Sequence, residues 1–304
     1  MPYSPPSLRP FFAAHLSLTI CLLLLPQLKA AQVPAHQIFT DYAEAKKNAT
    51  EKNELLLVVF YPKDQKAKTI DHFAKLQKEI DRSPKSMPAV TSVFLPTDHL
   101  TQTQKEVSKK RPKILLKTEP FTHLHQKPGL AILDFRNAKS STYEKTISIY
   151  PFQKGLPSDE HFKTLLLLPD GTLTQRTLVF AVRIHPENPR STSGEPLEVL
   201  FDGAEKHSNH QARIRLQGHH NWNRRFHEFN ASLPPGMLAQ EVCAESWPGE
   251  DLYTAALECV SSWRQSSGHW EAVRGQQKYF GYDMKRGSNG IWYATGIFAK
   301  RGTP

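Results

Sequence analysis

WRQSSGH, residues 263–269, closes an apolar helical pattern on a glycine and follows that glycine with a histidine. The helix before it is plain. In DLYTAALECVSSW (251–263), Leu252, Ala255, Ala256, Cys259, Val260 and Trp263 recur at the spacing that puts them on one face. Gly268 stands where a helix C-cap commonly falls, so the helix is expected to end there and turn His269 back over the fold. A Gly-His pair alone means little. Its weight depends on two other stretches, GHHNWNRRF (218–226) and VCAESW (242–247).

Working outward, KYFGYDM (278–284), the turn RGSNG (286–290) and IWYATGIFA (291–299) read as a β-hairpin. Upstream, QRTLVFAVRI (175–184) has helical periodicity. PLEVLFDGAEKHSNHQARIRL (196–216) is a second helix, with Pro196 suited to its first turn. Helices followed by an antiparallel hairpin suggest an α+β fold or an α-β-α sandwich. The first half alternates differently. DYAEAKKNATEKNELLLVVFYP (41–62) is an amphipathic helix and then a buried strand, Leu55 to Phe60. A polar helix near 68–81, a strand VTSVFL (90–95), a helix near 101–110 and a second buried strand, Leu130 to Phe135, follow. TISIYPF (146–152) alternates like a sheet edge, and DEHFKTLLLL (159–168) is a covering helix. The chain of 304 residues is thus expected to be α/β in two domains, parted by the turn PDG (169–171).

The element order of residues 36–168, with Pro128 ahead of its strand, resembles a thioredoxin-like domain. In YPKDQKAKT (61–69), Asp64 and Ala67 stand about where that family carries its redox cysteines. No cysteine occurs between residues 22 and 242, so dithiol exchange has no thiol to attack or to resolve. The resemblance implies a degenerate domain. His123 and His125 read as loop residues rather than ligands.

Residues 174–300 resemble the CAP superfamily: cysteine-rich secretory proteins, antigen 5 and pathogenesis-related 1 proteins, and their bacterial SCP-like relatives. His219, Trp222 and Arg225 match the bacterial spacing of a histidine, a bulky residue and an arginine. AES (244–246) stands where the family has Gly-Glu-Asn, which implies Glu245 as the site carboxylate. WRQSSGH matches Trp-x-x-Ser-x-Gly-His, which implies His269 as the second imidazole. Ala244 and Ser246 depart from the flanking glycine and asparagine. The resemblance implies a small cavity lined by His219, Glu245, His269 and Ser246, its first histidine being His219 or, one residue on, His220. Two imidazoles and a carboxylate make an open site for a divalent metal such as zinc. No HExxH or GxSxG is present, and His207 and His210, three apart, read as packing or rim residues.

Residues 1–31 have a signal-peptide layout, with Arg9 before the apolar run 16–25 and Ala30 and Ala31 at its end. The protein is therefore expected to be secreted or periplasmic, with no transmembrane segment. In that compartment Cys243 and Cys259 most simply form a disulfide. The formal charge is +10, with KKRPK (109–113) as its longest cluster and no nucleic-acid-binding pattern beside it. Envelope or extracellular components are the partners this implies. Three function classes follow: a ligand- or partner-binding module, a metal-assisted or His/Glu hydrolase of envelope peptides or glycans, and a structural adaptor.

Overall fold

A computed structural model of the chain describes residues 38–82, 87–97, 124–125 and 127–301. The expected leader 1–31 and the expected helix near 101–110, together with KKRPK and His123, lie outside the described residues. The fold is α/β, with two mixed sheets. The first sheet has the order β1 (Ile38–Phe39), β3 (Val90–Pro96), β2 (Leu55–Tyr61), β4 (Gly129–Asp134), β5 (Thr146–Pro151). β1 and β2 run parallel to β3, whereas β4 runs antiparallel to both β2 and β5.

All seven residues of β2 are buried, which is why the sequence there is an unbroken apolar run: both faces of the strand are covered. α1 (Tyr42–Lys52) starts at Asp41, whose carboxylate accepts from the N–H groups of Ala43 (2.8 Å) and Glu44 (3.1 Å). α2 (Lys66–Asp81) follows β2, and α3 (Asp159–Leu166) follows β5. β5 lies at the sheet edge, yet every residue of it is buried, unlike the alternation expected of an edge. The next helix, α4 (Leu173–Arg183), packs against it and against the second sheet.

α4 opens on a reciprocal cap between Thr172 and Gln175 and carries Arg176, a fully buried guanidinium. Arg176 donates to the carbonyls of Leu165 (2.8 Å), Leu168 (2.8 Å) and Pro169 (2.7 Å) at the end of α3. Its Nε donates to Ile147 O (3.1 Å) and Ser148 Oγ (3.0 Å) on β5. Among the described residues no carboxylate bonds it, and burial pushes its pKa down to about 9. One buried cluster runs through Val58, Ile132, Phe180, Trp263, Tyr282 and Phe298, so both sheets share a core.

The second sheet has the order β6 (Glu195–Pro196), β8 (Tyr279–Arg286), β9 (Trp292–Arg301), β7 (Met237–Glu245). α5 (Glu198–Ile214) and α6 (Trp222–Ser232) flank β7, β8 and β9, and so do α7 (Leu252–Gln265) and α8 (Ser267–Arg274). Val242, Ala244, Tyr282 and Phe298 pack in the cluster of α7, while Ala239, Ile297 and Ala299 pack with Leu200 of α5. Odd-numbered positions of β7 and β9 thus meet α5, and even-numbered ones meet α7. Gly281 brings β8 onto α5 at backbone distance: a Cβ there would stand 2.3 Å from Leu200 C and Phe201 N.

Two expected boundaries differ. Pro196 is not in a first helical turn. It pairs with Phe280 as part of β6, and the helix begins at Glu198 after Leu197. The helix of residues 252–265 is not stopped by Gly268 either. Ser266, at φ −103° and ψ 113°, breaks it, and α8 starts at once, with Gly268 inside its first turn. Nothing stands within 4 Å of a Cβ built on Gly268, so close packing does not demand glycine there. Among the described residues no helix is long and apolar enough to cross a membrane.

Candidate functional site

His219 sits on the turn between α5 and α6, an exposed ring held from two sides. Its Nδ1 faces Glu241 Oε1 at 2.9 Å, and its Nε2 faces His269 Nε2 at 3.3 Å. A ring nitrogen against a carboxylate carries a proton, so in the neutral ring Nε2 of His219 is the nitrogen with a free lone pair. His269, half-buried in α8, completes the pair. Its pKa is lowered by burial and, secondarily, by the neighbouring His219 imidazole.

Glu241 is fully buried, in a strand position that points toward α5 and α6. Arg225 takes both of its oxygens: Nη1 bonds Oε2, and Nη2 bonds Oε1 at 2.9 Å. The same guanidinium donates to His220 O through Nε (3.1 Å) and Nη2 (3.0 Å), fixing the turn that carries His219. Trp222, one turn earlier on α6, lies 5.2 Å beneath it. That explains the His219, Trp222, Arg225 spacing: the tryptophan supports the arginine, the arginine holds the carboxylate, and the carboxylate orients the histidine. Burial works to raise the Glu241 pKa, but hydrogen bonds from His219 and Arg225 and the charges beside it hold it below the usual range.

His207 of α5 stands behind this network. Its Nε2 donates to Gly218 O (2.8 Å), and burial pushes its pKa down to about 4. Ligand atoms of His207, Glu241 and Cys243 lie within 4.8 Å of one another. Arg225 already occupies the centre of that trio, with Nη2 3.3 Å from His207 Nε2 and bonded to Glu241.

The expected carboxylate and the observed one differ. Glu245 is exposed at the end of β7, and among the described residues its side chain makes no hydrogen bond or ion pair. Glu241, four residues earlier on the same strand face, is the one that meets His219. Ser246 closes the strand end: its hydroxyl donates to Trp247 O (2.8 Å) and accepts from Trp292 N–H (3.1 Å). His220 turns away, its Nε2 3.3 Å from Leu216 O and its ring beside His210. Trp263 and Trp270 are buried, whereas Trp247 is 73% exposed.

Cys243 and Cys259 are separate buried thiols. Cys243 points to the α5 face, with Sγ 3.8 Å from His219 Nδ1, while Cys259 packs from α7 onto the opposite face. Strand alternation therefore puts the sheet between them, and burial raises both pKa values. After β2, Asp64 and Ala67 are exposed at the entry to α2, and Pro62, Lys63, Asp64 and Thr97 line a shallow depression without a thiol.

No family model matches the chain, and no curated protein matches it. Among solved structures, an outer surface protein from Borrelia burgdorferi matches at 18% identity, over 48% of this chain and 97% of that one. The TM-score is 0.31, a likeness too slight to carry an argument.

Proposed function

We propose that the protein is an exported binding module in which a degenerate thioredoxin-like half is joined to a CAP-type half, and that His219 and His269 hold a divalent metal. The strand order and directions of the first sheet support the first assignment. The convergence of the residues of GHHNWNRRF, QEVCAES and WRQSSGH supports the second. One observation carries the metal reading. Two imidazole nitrogens bound to tetrahedral zinc at ~2.0–2.1 Å stand about 3.3 Å apart, and the two Nε2 atoms are 3.3 Å apart. Glu241 is then the carboxylate behind the ligand, fixing its tautomer and strengthening it as a donor. With two protein ligands the shell is completed from outside the chain, by water or by a bound partner's donor.

Calorimetric titration with zinc at neutral pH tests this. His269→Ala should abolish binding, Glu241→Gln should weaken it about 10- to 100-fold, and His227→Ala, on the exposed side of α6, should leave it unchanged. Affinity should fall on acidification, because only neutral imidazole coordinates. Equal binding by wild type and His269→Ala would end the proposal.

A further inference from the structure

We propose that the turn at the C-terminal end of α5, residues 213–216, is a docking wedge for an anionic lipid bilayer. The segment alternates Arg213, Ile214, Arg215, Leu216. The two aliphatic side chains are exposed, Ile214 by 39% and Leu216 by 57%, and both arginines are exposed beside them. Among the described residues no carboxylate pairs with Arg213 or Arg215; Arg213 contacts only the neighbouring His210 Nδ1 (3.2 Å).

The backbone is held for this presentation. Arg215 is in the left-handed region at φ 57°, a cap position where glycine or asparagine is far less strained. Arg215 and Leu216 both donate their N–H to Gln211 O. The Gln211 side chain accepts from Gly218 N–H (3.0 Å) and donates to Thr295 Oγ1 (2.9 Å) in the buried sheet. The tip is therefore anchored while its four side chains stay in solvent.

Neighbouring elements extend the surface. Gly287 lies against the end of α5, where a Cβ would come within 3.0 Å of Ala212 O, so the hairpin turn brings the exposed Arg286 to the same end. Gly249 N–H bonds Gly290 O at 3.0 Å, which adds the loop with the exposed Trp247. Glu245 and Glu258 adjoin Trp247, Glu258 accepting that residue's N–H (3.0 Å), so the contact centres on the arginine side. Guanidinium groups alternating with aliphatic tips match a headgroup phosphate layer over an acyl boundary, with the arginine stems lying along the apolar surface. The net charge of +10 draws the chain toward such a surface from a distance.

Co-sedimentation with phosphatidylcholine vesicles, with and without phosphatidylglycerol, is the test. The wild type should bind only the vesicles that contain phosphatidylglycerol. Arg213→Gln/Arg215→Gln should bind roughly 25-fold more weakly, at about five-fold per charge. Ile214→Ser/Leu216→Ser, which leaves the charge unchanged, should lose about ten-fold or more. All four residues are exposed, so circular dichroism should show both variants folded. The proposal is overturned by equal binding to phosphatidylcholine alone, by no binding to either vesicle, or by wild-type binding of either double variant. Retention by the serine variant alone would mean plain electrostatic adsorption, without a wedge.

Discussion

Replacing Arg176 by methionine removes the buried cation that joins α4 to the end of α3 and to β5 while keeping most of the side-chain volume. Its five hydrogen bonds, to four carbonyls and one hydroxyl, are each of the charge-assisted kind. At roughly 2 kcal/mol apiece they total about 10 kcal/mol. Burial opposes them: a pKa lowered from 12.5 to about 9 corresponds to a cost of about 5 kcal/mol for keeping the charge. Methionine recovers about 1 kcal/mol of apolar burial, so Arg176→Met should lose about 4 kcal/mol. Lysine, with fewer donors, should lose about half of that. Urea unfolding reads it well, because all five tryptophans lie at Trp222 or beyond and report the second half alone. Circular dichroism reports both halves. In the wild type the two transitions should coincide; in Arg176→Met the dichroism should fall first. A midpoint within about 1 kcal/mol of wild type would refute the reasoning, since it would mean the orphaned carbonyls find partners at no cost.

Asp283 is fully buried, bonded by Thr174 Oγ1 (2.6 Å) and flanked by Lys285 Nζ (3.2 Å), and burial raises its pKa from 3.8 to about 6. Its native form binds the proton more tightly, so a penalty of up to about 3 kcal/mol sets in between pH 4 and 6 and persists above it. Asp283→Asn should therefore stabilise the protein at pH 7.5 and not at pH 3.5, and thermal melts at both values check this. His207 works in the opposite sense. Its pKa is lowered to about 4, so stability should be lost as pH falls from about 6.5 to 4, by about 3 kcal/mol. His207→Gln, which can still donate to Gly218 O, should flatten that slope in pH-dependent urea titrations. For the cysteines of the chain without residues 1–31, which carry Cys21, thiol reagent should titrate two groups after denaturation and react slowly with the native protein; no thiols in denaturant would mean a bridge.

Much of the fold is readable where burial is continuous or periodic along the chain. Leu55 to Phe60 and the stripe from Leu252 to Trp263 show their roles directly, because each residue's environment follows from its neighbours in sequence. His219 and His269 are legible by motif spacing. Glu241 is less so: it shares its strand face with Glu245, and only the position of Arg225 decides which carboxylate is buried. The need of a half-buried arginine for an acidic partner was the available signal. Cys243 and Cys259 invited a bridge because their sequence separation says nothing about which sheet face each occupies. Arg176 looks like one polar residue in a helical pattern. Its five acceptors come from α3 and β5, and nothing near it in sequence announces them.

The guanidinium of Arg225 makes the core of the site self-sufficient. His207, Glu241 and Cys243 would gather a metal if Glu241 lacked a counter-charge, and folding would then depend on the ion supply in the compartment. A cation attached to the chain removes that dependence. The protein should therefore reach its native state in metal-poor surroundings, and chelators should leave the fold intact. In the site proposed above only the outer pair, His219 and His269, would load and unload, so its occupancy would follow the momentary concentration of free metal rather than the history of the chain's synthesis.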